Sequence, residues 1–239
     1  MNLIEAPSPN FEPRKAPPDM IVLHYTGMRT GEEALARLRD PQAKVSSHYV
    51  VEEDGRVFRL VPEERRAWHA GASFWKGERD VNTASVGVEI VNPGHEFGYR
   101  PFPDAQIAAV IELVADIRTR WMVEDGKIVG HSDIAPDRKE DPGEFFPWKR
   151  LAQAGHGLWV ELPAAPGAPL GEGEEGAGVF ALQAGFTRLG YDCAPSGKFE
   201  AHTAAVVRAF QRHWRQDKVD GIADGETRAR LIGLLRLGA

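Results

Sequence analysis

Apolar and polar positions along the chain recur with two different periods. Met20–Tyr25 (MIVLHY) is a short, β-rich apolar run that stops at Thr26-Gly27 and reads as a strand. A period of two puts Met20, Val22 and His24 on one face and Ile21, Leu23 and Tyr25 on the other. Ser47–Glu52 and Arg56–Val61 flank Asp54-Gly55, which marks a hairpin. Ser85–Val91 (SVGVEIV) is a further strand, ended by Asn92-Pro93-Gly94. Between Asp104 and Trp121 the period changes: Ile107, Val110, Ile111, Val114 and Ile117 recur at helical spacing behind the start signal Pro103-Asp104. Lys127–Gly130 reads as a short strand feeding a loop. Strands, a long helix and another strand predict an α/β fold, a mixed β-sheet flanked by helices.

Pro163, Pro166, Pro169 and the stretch GEGEEGAG (Gly171–Gly178) then interrupt the pattern. Pro, Gly and acidic residues bury too little apolar surface to build a core, so Leu162–Gly178 is expected as a linker. The chain divides into a unit at 1–161, a linker at 162–178 and a small three-helix domain at 179–239. Its helices are expected near Val179–Leu189, Glu200–Trp214 and Glu226–Leu237.

Composition narrows the function. With 239 residues, 42% of them hydrophobic, the chain can bury a core without covalent staples. A net charge of −6 argues against binding along a phosphate backbone, so no nucleic-acid partner is expected. Cys193 is the only cysteine, which excludes an intrachain disulfide and a Cys-rich zinc module. No apolar run reaches bilayer-spanning length, and Pro interrupts the first twenty residues where a leader core would lie. The expectation is a cytoplasmic protein off the membrane, with the periplasm as the alternative.

Histidine placement carries the chemistry. His24 ends the first long strand, and His131 opens GHSDIAPDRKEDPG, in which Asp141 follows ten residues later. Two imidazoles and a carboxylate suit a zinc ion that keeps a water in its fourth position. The chain has no HExxH motif and no Cys/His cluster, so spacing alone leaves structural roles open for all three.

Four segments, IVLHYTG, SSHYVVEEDGRVFRLVPEERRAWHAG, NTASVGVEIVNPG and GHSDIAPDRKEDPGEFFPW, resemble the zinc-dependent N-acetylmuramoyl-L-alanine amidases of the type-2 amidase family, in the family's order. The resemblance implies a mixed sheet holding one zinc in a groove. It also implies cleavage of the amide between the lactyl group of N-acetylmuramic acid and the first L-alanine of the stem peptide. Carried over by motif, the ligands fall on His24, His131 and Asp141, the catalytic acid–base on Glu89, and an oxyanion-stabilising ammonium on Lys139. His69, in AWHAG, takes a substrate-contacting or groove-supporting role.

His48 is expected to serve the sheet, and His95, His156, His202 and His213 to be surface histidines. Trp68, Trp75 and Trp148 are expected in the core rather than along a sugar groove. The segments ALQAGFTRLGYD, SGKFEAHTAAVVRAFQRHW and VDGIADGETRARL resemble a three-helix peptidoglycan-binding domain. The implied partners are muropeptides or peptidoglycan, met in cell-wall recycling. The alternatives are an exported lytic amidase acting on polymeric wall and a non-catalytic muropeptide-recognition protein. The helical domain is expected either to bind wall or only to pack on the catalytic unit.

Overall fold

A computed structural model describes residues 1–238. In chain order the elements are β1 (Leu3–Glu5), β2 (Phe11–Pro13), β3 (Met20–Tyr25), α1 (Gly31–Arg39), β4 (Tyr49–Val51), β5 (Val57–Arg59) and β6 (Arg65–Ala67). Then come α2 (Val81–Ala84), β7 (Ser85–Ile90), α3 (Gly94–Phe97), α4 (Asp104–Arg120), β8 (Ile128–Gly130), α5 (His131–Ile134) and α6 (Trp148–Gln153). Helices α7 (Ala177–Leu189), α8 (Ala201–Trp214) and α9 (Gly225–Arg236) close the chain.

Six strands form one mixed sheet in the order β1-β5-β4-β7-β3-β8, and β2 pairs with β6 apart from it. Strands β4, β7, β3 and β8 run parallel, while β4 and β5 form the antiparallel hairpin expected at Asp54-Gly55. Gly55 sits at φ 87, a left-handed turn conformation that a side chain would strain. Strands β3 and β7 are apolar along most of their length because both faces of the sheet are covered, and His24 and Glu89 fall near their carboxyl ends. On one face, Ile21 and Leu23 pack with Ile107, Val110, Val114 and Ile117 of α4. Each such side chain removed from water contributes on the order of 1.5–3 kcal/mol.

The other face holds Met20, Val22 and Val129, and there the core runs without a break into Leu182, Phe186 and Phe210 of the C-terminal helices. These helices therefore share a core with the sheet. The 162–178 segment lies along them: Leu170 and Ala223 exchange backbone hydrogen bonds, and Phe199 N–H donates to Glu174. No helix among the described residues is long and apolar enough to cross a membrane.

Candidate active site

Parallel pairing brings the chemistry to one place. In register, His24 on β3 lies beside Glu89 on β7, so both side chains leave the same face near the carboxyl ends of their strands. His131 begins α5 directly after β8, the parallel neighbour of β3 on its other side. The loop after α5 returns to the sheet, and Ser132 N–H donates to the Asp141 carbonyl at 2.9 Å, which sets Asp141 next to His131.

His24, His131 and Asp141 are all buried, and one donor atom from each meets the others in a tight triangle. Nδ1 of His24 lies 2.9 Å from Nδ1 of His131, and each nitrogen lies 3.0 Å from Asp141 Oδ2. A tetrahedral cation with bonds of about 2.0–2.1 Å requires donor–donor edges of about 3.3–3.4 Å. The triangle therefore has to open by only a few tenths of an ångström to hold one.

Hydrogen bonds set both imidazole tautomers. His131 Nε2–H donates to the Ala70 carbonyl at 3.1 Å, since a carbonyl can only accept. Ser85 Oγ–H donates to the Val81 carbonyl at 2.5 Å and is left to accept from His69 Nε2–H at 3.3 Å. His69 Nδ1 is then an acceptor and takes the His24 Nε2–H at 3.0 Å. Both ligand candidates thus carry their proton on Nε2 and turn a bare Nδ1 lone pair inward, as a metal-bound imidazole requires. Gly87 permits the stack: a Cβ there would meet the His69 ring at 2.5 Å.

Charge follows from burial. Burial, then the neighbouring His131, pushes His24 down to about 4, and burial with His24 beside it drives His69 well below its ordinary value. Burial alone would raise Asp141; with a proton on their Nδ1, His131 and His24 would overcome it and hold the carboxyl far below the usual range, a pull the neutral tautomers do not exert. Glu89 goes the other way. Burial and then repulsion from Asp141 raise it well above the carboxylate range, against the pull of Lys139. Its Oε2 is shielded from solvent and has no hydrogen-bond partner.

A groove of about 470 Å³ is lined by all six residues expected at the site: His24, His69, Glu89, His131, Lys139 and Asp141. His69 lines the groove, and both of its ring nitrogens are engaged inside the protein, which favours the groove-supporting of its two expected roles. His48 serves the sheet: its Nδ1 accepts from Gly87 N–H at 2.9 Å. Trp75 and Trp148 are core residues, whereas Trp68 borders the groove.

His213 is not on the surface. It is buried, stacked between Trp148 and Trp214 with ring centroids 3.6 Å from each, and its Nδ1–H donates to Asp133 at 2.7 Å. Sequence reasoning also passed over Arg138, whose guanidinium donates to the carbonyls of Ala70 and Ala72 and ties the AWHAG loop to the Asp141 loop. Within RKED it looks like one more solvated charge.

Two imidazoles, a carboxylate and a shielded glutamic acid in a groove at strand ends are the equipment of a metal-dependent hydrolase. Residues 14–144 match the N-acetylmuramoyl-L-alanine amidase family, and the chain belongs to it. Residues 175–231 match a peptidoglycan binding domain family. The chain is 38% identical to N-acetylmuramoyl-L-alanine amidase AmiD of Escherichia coli, with 90% of this chain and 82% of the relative covered. The solved complex of E. coli AmiD with anhydro-N-acetylmuramic acid-L-Ala-D-gamma-Glu-L-Lys superposes with a TM-score of 0.81 at 37% identity, covering 93% of this chain and 90% of that one. AmpDh3 from Pseudomonas aeruginosa, in complex with an anhydromuramic pentapeptide, gives 0.78 at 30% identity, covering 95% and 94%.

Proposed function

We propose that this chain uses one zinc ion to hydrolyse the amide between N-acetylmuramic acid, or its 1,6-anhydro form, and the L-alanine of the stem peptide. The observation that carries this reading is the inward convergence of three buried donors, His24, His131 and Asp141, with both imidazole tautomers already set. Zinc held there supplies a Lewis acid and lowers the pKa of water towards about 7.

The remaining work falls to the chain's own groups. Glu89 borders the groove beside His24, with a shielded oxygen that no protein donor occupies. It takes the proton of the attacking water and returns one to the departing alanine nitrogen, a role for which a raised carboxyl pKa is suited. Lys139, two residues from Asp141 and on the same groove, places an ammonium where the carbonyl oxygen becomes anionic. Asp141 supplies the third donor, an anionic one.

The AmiD and AmpDh3 structures are complexes with anhydromuramyl peptides, which favours the same chemical class here. We read the role as turnover of soluble wall fragments in recycling. The match of residues 175–231 to a peptidoglycan binding domain favours a second reading, action on polymeric wall. Mass spectrometry of digests separates them. Anhydromuropeptides releasing free stem peptide support the first, and release only from intact sacculi supports the second. Neither release sinks the amidase assignment. The readings also differ in address, cytoplasm against periplasm, which cell fractionation tests.

A further inference from the structure

The C-terminal helices reach into the segment that carries two of the three proposed ligands. Asp133, in the single turn α5, is fully buried and accepts three hydrogen bonds. One comes from Gly130 N–H at 2.8 Å, the residue before His131. The other two come from the C-terminal unit: Tyr191 O–H to Oδ1 and His213 Nδ1–H to Oδ2, both at 2.7 Å.

A lone helical turn does not hold itself together. Its placement has to come from such contacts. The same turn fixes Asp141 through the Ser132 to Asp141 backbone bond. Helix α8 then clamps the rest of the loop, pairing His202 with Asp137 at 2.7 Å and Arg212 with Glu140. Beyond it, the Gln216 amide donates to the carbonyls of Glu144 and Phe146.

We propose that Tyr191 and His213 are positioning residues for the metal site, acting through Asp133 on His131 and Asp141. The helical unit thereby completes the catalytic centre, whatever else it binds. This inference rests on the reading of His24, His131 and Asp141 as zinc ligands. A contact that merely glued two units together would stabilise the chain and leave the affinity of the triangle for its cation unchanged.

The test uses the full chain with Tyr191→Phe and His213→Phe, which remove one donor each and keep an aromatic ring. Arg188→Ala, exposed on α7, is the control. Zinc dissociation constants are measured by competition with a chromophoric chelator, and hydrogen exchange is followed over Gly130–Asp141. We expect zinc affinity to fall about tenfold in each aromatic variant, the lower end for supporting residues around a metal. Exchange over Gly130–Asp141 should quicken, and the control should match the parent in both.

Zinc affinity within twofold of the parent in folded Tyr191→Phe, with unchanged exchange, overturns the proposal even if the melting temperature drops. If the parent itself takes no zinc, the metal reading fails. Unchanged exchange then still overturns the brace, and faster exchange supports it.

Discussion

Replacing His69 by leucine fills the same space over Gly87 and removes only the imidazole nitrogens. His24 Nε2–H then loses its acceptor at 3.0 Å in a site buried from solvent. A buried donor left unpaired costs about 1–3 kcal/mol. The ring can escape that cost by moving its proton to Nδ1, but this removes the lone pair the cation needs. Either way the penalty falls on metal binding, and changes to such supporting residues cost about 10–100-fold in affinity. The assay is competition between the protein and a zinc chelator of known affinity, run beside His69→Gln. The glutamine carbonyl can accept from His24 and its amide can donate to Ser85, so this variant should recover most of the affinity. Under saturating zinc, the leucine variant should keep its KM. Parental zinc affinity together with a raised KM would refute the reasoning and favour His69 as a substrate contact.

Glu89→Gln should keep its zinc and lose about 10²–10⁴-fold in kcat, because the amide cannot carry the proton from water to the leaving amine. Lys139→Met should likewise keep zinc and lose about 10²–10³-fold in kcat, as removal of an oxyanion partner does elsewhere. Loss of metal from either variant contradicts the assigned role. His48 gives a pH signature. Burial, then Arg14, pushes it down to about 3, whereas it titrates near 6.5 in the unfolded chain. The unfolded state binds the extra proton between these values, so stability is full above pH 6.5 and falls as pH drops towards 3. Between pH 6.5 and 4.5 this one residue should cost the fold about 2–3 kcal/mol. Denaturant titrations across that range should show a flatter profile for His48→Gln, whose amide oxygen can accept from Gly87 N–H without a titrating ring. Equal slopes would contradict the assignment.

The long elements were legible because each has a single strong period. Met20–Tyr25 is a strand as read, Asp104–Arg120 is the helix its five aliphatic residues required, and the three C-terminal helices fall within two residues of expectation. Elements that bury little were not legible. β1 and β2 have only three residues each, and α1 buries only Gly31, Ala34 and Leu38. At the site, His24, His131 and Asp141 were visible as types and by resemblance. Their convergence depends on β3 lying between β7 and β8, which no local pattern encodes. The bonds of His69 to His24 and Ser85 were not legible, because those partners are distant in sequence and the ring packs over Gly87. His213 follows Val206, Ala209 and Phe210 at helical spacing, so it lies on the buried side of the helix, where it meets Asp133 and Trp148; only its residue type pointed to the surface.

The most direct measurement is a zinc titration of chelator-stripped protein, with stem-peptide release from an anhydromuropeptide followed by mass spectrometry. Activity should be absent at the start, rise in proportion to added zinc and level off at one ion per chain. Full release by the stripped protein, or a silent protein after loading, would contradict an open zinc site built from His24, His131 and Asp141.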